Sequence, residues 1–299
     1  MARVSFQEVV TRAKQLGIAV AWIVAFGVVA IGASIVLNAL NPVPTTSPWW
    51  LAVNSGGQAI AFLLATWLVG LRLNKHSWDR MGWHRDGAQR LRGRIIRGVA
   101  LGTVMAALAI GLSFIGSRAT VHLTGDWMRW LALAPPLAAG LVVAALTEEL
   151  AFRGYPLRRL AEAVGPWAAT LLLSVPFGLA HLKNPNATVF STINVVLAGV
   201  WLSFAFFSHG GMGYAWGLHF GWNAGLALLF DAPVSGYRFQ VPAVEYVPGR
   251  HAWVDGGAFG PEGGVVATIA LIAGTLYLLT RRALFSAPEP GSPAQMAAA

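Results

Sequence analysis

Residues 130–159 read WLALAPPLAAGLVVAALTEELAFRGYPLRR, and they include two adjacent acids, Glu148 and Glu149, in an otherwise apolar run. A run of about 20 apolar residues is long enough to cross the hydrocarbon core of a membrane as a helix. Two of its three prolines, Pro135 and Pro136, lie near the start, where a missing N–H costs little, and Arg158 and Arg159 follow at its end. The stretch therefore predicts a membrane helix that contains a pair of carboxylates.

The rest of the chain has the same apolar character. Of its 299 residues 56% are hydrophobic and 11% are charged, whereas soluble domains carry about 25% charged residues. Apolar runs of this length predict an all-α, polytopic transmembrane helix bundle, and hence an integral membrane protein. The pattern predicts about eight spans: 17–40, 49–71, 96–116, 130–157, 165–182, 188–208, 211–230 and 264–280.

The basic residues predict the orientation of these spans. When the connecting segments are assigned alternately to the two sides, sixteen Lys and Arg residues fall on the side of the N-terminus and five on the other. The positive-inside rule then makes both termini cytoplasmic. The basic excess is thus an orientation signal and a contact for anionic lipids, which argues against nucleic acid as a partner. The residue usage is typical of a bacterial protein, so the plasma membrane is the expected location.

The sequence divides into three parts. Residues 1–129 hold the N-terminal spans and a basic cytoplasmic loop at 72–95. Residues 130–230 hold the apolar helices with polar side chains inside them. Residues 231–299 begin with an outer loop rich in Gly, Pro and aromatic residues, which we expect to cap the bundle. The last span follows, and the end of the chain, 286–299, predicts a disordered tail.

The glutamate pair calls for a chemical reason. Of the twelve acids only Glu148 and Glu149 fall within an apolar span, and an ionised carboxylate at mid-bilayer costs a few kcal/mol or more. Neighbouring residues on a helix point about 100° apart, so the two carboxylates have different surroundings. Arg153 follows Glu149 by four residues, the spacing of a helical ion pair. Glu149 is therefore expected to pair with Arg153, and Glu148 to face another group.

Three polar residues in later spans are candidates for that group. His181 and His219 are the histidines that fall within apolar helices, and Asn223 follows His219 by one helical turn. At 1.5 Å per residue, His219 and Asn223 lie at depths that bracket Glu148, but His181 lies roughly 24 Å along its span, deeper than Glu148. The fifth span must therefore be tilted, offset or kinked at Pro176 for His181 to reach the others.

These residues suit amide hydrolysis. A desolvated Glu148 can take a proton from water, one histidine can orient that water, and a second histidine with Asn223 can donate hydrogen bonds to the oxyanion. This division needs no metal or other cofactor and is favoured. Zinc is the alternative, with Glu148, His181 and His219 as ligands and an open fourth position. The HExxH motif is absent, and the lack of cysteine excludes disulfides, thiolate catalysis and Cys-ligated metals.

Two other classes of function remain open at this point. A Glu, two His and an Asn in three spans also suit a proton relay or an ion site in a membrane transporter. A non-catalytic scaffold or immunity protein can retain such residues for stability alone. Both alternatives predict that peptide bonds are not cleaved.

The order of the motifs resembles one known family. Glu148-Glu149-x-x-x-Arg153-Gly154, then Phe177-x-x-x-His181, then His219-x-x-x-Asn223, on successive apolar helices, resemble the CPBP family of intramembrane proteases. The name stands for CAAX protease and bacteriocin processing, and the family includes the type II CAAX prenyl endopeptidases and "abortive infection" proteins. The resemblance covers the middle part, 130–230, as a CPBP-like protease core.

The resemblance implies an intramembrane glutamic endopeptidase acting on a membrane-associated protein or peptide, which in some members carries a prenyl group. It implies that Glu148 and His181 activate water, that His219 and Asn223 stabilise the oxyanion, and that Glu149 and Arg153 support the site. It favours a mechanism without a metal, although the family was long described as metalloproteases. It also implies a site that opens toward the cytoplasm.

Overall fold

The computed structural model describes residues 6–84, 86–208, 211–241 and 243–280. The predicted disordered tail, 286–299, lies outside these residues. The helices in the described part are α1 Phe6–Ala39, α2 Trp50–Ala65, α3 Ala88–Ser117, α4 Trp127–Phe152, α5 Tyr155–Val164, α6 Pro166–Ala180, α7 Val189–Ser208, α8 Met212–Ala224, α9 Ala252–Asp255 and α10 Val265–Thr280. Wider π-helical turns extend α2 through Thr66–Leu73 and α8 through Gly225–Leu229, and 3-10 turns lie at Gly257–Phe259 and Pro261–Gly263.

Five helical stretches in the described part are long and apolar enough to cross a membrane: Val10–Ala39, Trp50–Leu73, Ala88–Ser117, Trp127–Val164 and Val189–Phe207. They correspond to five of the eight predicted spans. α6 and α10 are apolar but shorter, with 15 and 16 residues. α8 has 13 residues and is buried along most of its length. The helical membrane fold is thus confirmed, while the count of eight spans stays a prediction.

The predicted fourth span is interrupted. α4 ends at Phe152, and Gly154 leaves the helical conformation with φ −65° and ψ −114° before α5 begins. Pro156 lies in the first turn of α5. A backbone N–H at this position has no partner within the helix, so its absence in proline costs little. α5 buries Tyr155, Leu157 and Leu160. The sequence predicted one helix across this junction, because a single glycine inside a helical pattern does not by itself indicate a break.

The two ends of the bundle are built differently. We call the end of the bundle that holds loop 74–87, α5 and the start of α8 the "basic end". There, His76 lies 3.5 Å from Glu162, and the N–H of Met212 donates to the carbonyl of Gly82 at 2.9 Å. At the opposite end, Thr120–Leu123 pairs antiparallel with Val244–Val247. We call this opposite end of the bundle the "hairpin end". It comprises segments 40–49, 118–126, 181–188 and 230–264. The two strands, β1 and β2, have four residues each and lie in loops of an otherwise all-helical fold, which agrees with the all-α prediction.

Residues 230–264 form a cap segment across the hairpin end. Its buried Asp255 accepts a hydrogen bond from Ser117 Oγ at 2.6 Å. Asn194 Nδ2 donates to the carbonyls of Glu262 and Gly264, each at 2.9 Å. These bonds join the cap segment to α3 and α7, which agrees with the expectation that this loop covers the bundle.

α8 is held in the interior by close contact with α3. A Cβ atom at Gly102 would lie 2.2 Å from the carbonyl oxygen of Leu218, and one at Gly221 would lie 2.3 Å from that of Val99. Small residues let helix backbones approach this closely. Thr103 Oγ1 adds a hydrogen bond to the Gly221 carbonyl at 3.1 Å. The contact fixes the helix that carries His219 and Asn223.

Candidate functional site

The last turn of α4 carries both glutamates, and their side chains have different surroundings. Glu149 is fully buried, whereas the side chain of Glu148 is 35% exposed. The 100° step between helical neighbours explains the difference. Glu148 lines a cavity that α4 forms with α6, α7 and α8. In the described part of the chain no donor lies within hydrogen-bonding distance of Glu148 Oε2, so this oxygen is available to a reactant.

Arg153 forms the predicted ion pair with Glu149. Its Nη1 lies 3.2 Å from Glu149 Oε1, and both side chains are buried. The guanidinium also lies over the ring of Phe177, 4.0 Å from its centroid, and Nη2 donates to the carbonyl of Gly199 at 3.4 Å. Arg153 thereby connects α4 to α6 and α7 and neutralises the buried carboxylate.

His181 follows directly after the last residue of α6. Its Nδ1 lies 2.8 Å from the carbonyl oxygen of Phe177. Because a carbonyl can only accept, Nδ1 carries the hydrogen, and Nε2 of the neutral ring is an acceptor. Nε2 lies 3.8 Å from Glu148 Oε2, beyond a direct hydrogen bond. His181 thus reaches Glu148 although α6 remains one helix through Pro176.

His219 lies between the two carboxylates. Its Nδ1 is 2.8 Å from Glu149 Oε1, and its Nε2 is 3.8 Å from Glu148 Oε2. With Glu149 ionised beside Arg153, the carboxylate accepts, and Nδ1 carries the hydrogen. The sequence did not predict the bond between His219 and Glu149, since the i, i+4 rule detects pairs within one helix only.

Asn223 lies one turn after His219 on α8 and is 8% exposed. It lines the same cavity as Glu148, His181 and His219. The structure therefore brings the four predicted site residues together around one space, with the predicted supporting pair directly behind them.

Two cavities meet at Glu148. The first has a volume of about 360 Å³ and reaches Asn184 and Ser235 at the hairpin end. The second has about 570 Å³, lies between α2 and α4, and extends to Thr45. Leu51, Ala144, Glu148, Tyr237 and Phe239 line both. Glu148 therefore lies where the two cavities join.

Sequence reasoning missed the contribution of the cap segment. Glu262 lines the first cavity, and its carboxylate accepts from Trp222 Nε1 at 2.8 Å and from Ser235 Oγ at 3.2 Å. The backbone N–H of Ser235 also donates to it. These residues form one wall of the cavity beside Asn223. A loop without periodicity carries no sequence signal for such contacts; its Gly, Pro and aromatic content was the only indication.

The positions of the donor atoms bear on whether the site could hold zinc. Glu148 Oε2 lies 3.8 Å from Nε2 of each histidine. Within residues 6–84, 86–208, 211–241 and 243–280, no group of three or more His, Asp or Glu side chains is arranged to hold a metal ion. Whether the protein uses a metal stays a prediction, which chelation with metal analysis tests.

Comparison with known proteins gives one match. Residues 129–225 match the family model described as type II CAAX prenyl endopeptidase Rce1-like. The matched segment contains Glu148, His181, His219 and Asn223. No curated protein and no solved structure matches the chain. The segment 129–225 is therefore similar to the CAAX protease, or CPBP, family of membrane proteases, which supports the resemblance carried by the motifs.

Proposed function

We propose that this protein is an intramembrane glutamic endopeptidase that hydrolyses a peptide bond of a membrane-associated polypeptide. The observation that carries the proposal is the convergence of Glu148 Oε2 on the Nε2 atoms of His181 and His219, 3.8 Å from each, in a cavity that Asn223 also lines. The similarity to this family supports the class of reaction.

Glu148 is the general base in this proposal. A water molecule between Glu148 and His181 can donate one hydrogen to Oε2 and the other to the Nε2 acceptor of His181, which leaves an oxygen lone pair for the peptide carbonyl. The new C–O bond forms as Glu148 takes the proton. When the C–N bond breaks, Glu148 returns that proton to the leaving amine. The remaining hydroxyl proton of the intermediate then passes through Glu148 to the amine, so the products are a carboxylate and an ammonium group.

His219 and Asn223 stabilise the oxyanion. Asn223 offers its side-chain amide hydrogens. His219 offers Nε2–H when the ring is doubly protonated, because its Nδ1 hydrogen is already bonded to Glu149 at 2.8 Å. Glu148 and Glu149, on the two sides of the ring, supply the negative charge that balances this cation. Donors held toward developing negative charge in an apolar site contribute about 2.7–4 kcal/mol each.

The test is Glu148→Gln, which keeps the shape of the side chain and removes the base. Purified protein is given a peptide library in lipid vesicles. We expect cleavage to fall by about 10²–10⁴-fold, the usual contribution of a general base. Arg159→Gln, a change at the basic end outside the cavity, serves as the control. Equal cleavage by wild type and Glu148→Gln would refute the proposal.

The setting of the enzyme is part of the proposal. A bacterial plasma membrane suits the composition, and anionic lipids are expected partners of the basic end. The first turns of α3 there present exposed Arg90, Arg92 and Arg97, a cluster that attracts acidic headgroups by about 1 kcal/mol per residue.

A further inference from the structure

We infer that Asn54 and Gln58 on α2 bind the backbone of the substrate through their side-chain amides, and that the substrate is therefore extended at its cleavage site. This role rests on the proposed function, in which Glu148 carries out the hydrolysis. Both residues line the second cavity together with Glu148. They lie outside the segment 129–225 that is similar to the protease family, so the contact belongs to the N-terminal part of this chain.

The two amides lie on the face of α2 that lines the second cavity. Leu51, Asn54, Ser55 and Gln58 all line this cavity, and their spacing of i, i+3, i+4 and i+7 places them on one face of a helix. Three of the four are polar, although they belong to the stretch Trp50–Leu73, which is apolar enough to cross a membrane. The polar face of α2 is therefore the one that meets the cavity.

A contact between α2 and α4 places these amides at the level of Glu148. The hydroxyl of Thr147, the residue before Glu148, donates to the carbonyl of Ser55 at 3.1 Å. Asn54 and Gln58 are one and three residues from Ser55, roughly 1.5 Å and 4.5 Å along the helix axis. A polypeptide that occupies the second cavity and reaches Glu148 therefore passes both amides.

The two amides have no partner among the described residues. Within this part of the chain, the side chains of Asn54 and Gln58 form no hydrogen bond and are partly buried. The nearby Thr147 differs, because its hydroxyl is bonded to α2 and so contributes to packing. A polar amide without a partner is costly inside a membrane. Asn54 and Gln58 are therefore suited to bind a group that enters the cavity.

The spacing of the two amides fits an extended peptide. Each side-chain amide has an NH₂ donor and a carbonyl acceptor, so it can bond the C=O and the N–H of one peptide residue. Residues four apart on a helix are separated by roughly 6 Å along its axis. In an extended chain, residues two apart lie on the same side and are separated by roughly 6.6 Å. Asn54 and Gln58 therefore match two residues of one extended substrate.

The helices around Glu148 cannot bind a peptide with their own backbones, because the N–H and C=O groups inside a helix are paired. Extended peptides are often bound at the free edge of a β-sheet, but in the described part of the chain Thr120–Leu123 and Val244–Val247 line neither cavity. On α2 the bonds must come from the side chains of Asn54 and Gln58. A helical substrate has its own backbone groups paired, so the cleavage site has to be extended.

The test combines variants of the protein with backbone changes in the substrate. Asn54→Leu and Gln58→Met remove the amides and keep the shape of the side chains. Gln89→Met, at an exposed position on the first turn of α3, is the matched control. The substrate is a library peptide that the wild type cleaves in lipid vesicles. It is remade as a series in which one backbone amide at a time, other than the scissile one, is replaced by an ester, which removes one N–H donor without adding bulk.

We expect the wild type to lose about 2–10-fold in kcat/KM at two ester positions that are two residues apart, the effect of one hydrogen bond each. Asn54→Leu should abolish the sensitivity at one of these positions, and Gln58→Met at the other. Gln89→Met should behave like the wild type at both. A change that only loosens the helix packing would lower the cleavage of every peptide in the series alike.

A wild type without such a pair of ester positions would overturn the inference, even where a variant folds poorly. Variants that lower cleavage but keep the wild-type ester pattern also overturn it, since the amides would then serve packing or the supply of water. When Glu148→Gln abolishes cleavage, these outcomes reject the role of Asn54 and Gln58 alone. Full cleavage by Glu148→Gln, or no cleavage of any library peptide by the wild type, refutes the proposed function, and the role of the two amides falls with it.

Discussion

The buried ion pair behind the site allows one stability prediction to be worked out in detail. The change is Arg153→Met, which keeps an unbranched apolar stem and removes the guanidinium. Glu149 has 0% of its surface exposed, so its carboxylate would remain in an apolar interior without its main counter-charge. Breaking a buried ion pair by removing one partner costs about 3–5 kcal/mol.

Two further contacts set where in that range the loss should fall. The guanidinium lies 4.0 Å from the centroid of Phe177, and a desolvated cation–π contact contributes up to about 2 kcal/mol. Against this, His219 stays 2.8 Å from the same carboxylate and can offset part of the charge. These effects oppose each other, so we expect the free energy of unfolding to fall by about 3 kcal/mol, the lower part of the range for a broken buried pair.

The assay is unfolding in mixed micelles titrated with SDS, followed by tryptophan fluorescence. A matched control is Arg159→Met, because Arg159 pairs with Glu162 at 3.2 Å where both side chains are partly exposed. That change should cost less than about 1 kcal/mol. Adding Glu149→Gln to Arg153→Met should recover most of the loss, since no unpaired charge is then left buried. A loss below about 1 kcal/mol, or no recovery in the double variant, would refute the reasoning about a buried charged pair.

Three further predictions test the packing of α3 against α8, the role of Asn223 and the pH dependence of stability. Gly102→Ala should push α3 away from α8 and cost about 1–3 kcal/mol in unfolding free energy, whereas Gly111→Ala on the same helix, with no heavy atom within 4 Å of the added Cβ, should not destabilise. Asn223→Ala should lower kcat by about 10²–10³-fold with little change in KM, measured on a library-derived peptide; an effect on KM alone would contradict its role at the oxyanion. Burial lowers the pKa of His76 below its usual 6.5, so the unfolded chain takes up the proton more readily and stability should fall as the pH drops below about 6.5. In pH-dependent unfolding His76→Gln should flatten this acid limb, and an unchanged slope would contradict the assignment.

The helical fold could be predicted because membrane spans are read from length and hydropathy alone. The break at Gly154 could not, since a single glycine does not by itself end a helix and the geometry depends on packing against Met212. The β1–β2 pairing joins Val121 to Tyr246, more than a hundred residues apart, and four-residue strands in loops carry almost no periodic signal. Non-local contacts of this kind need the structure.

The site shows the same division between local and non-local information. Glu148, His181, His219 and Asn223 were predictable because a polar group inside an apolar helix is costly and needs a reason. Arg153 was predictable from its spacing to Glu149. The bond from His219 to Glu149 joins two helices, and the wall around Glu262 comes from the cap segment. Neither follows from spacing along one helix.

In the proposed mechanism, the charge of the site gives a reason for two adjacent glutamates. Glu149 fixes the hydrogen of His219 on Nδ1, so Nε2 can donate only from the cationic ring. Ionised Glu148 and Glu149 then balance protonated His219 and Arg153, and the net charge is zero in a medium where an isolated charge is costly. When Glu148 accepts the proton from water, the negative charge passes to the oxyanion, and the total stays at zero. A single glutamate could not both react and hold the ring, because taking the proton would remove the charge that favours the donor form of His219.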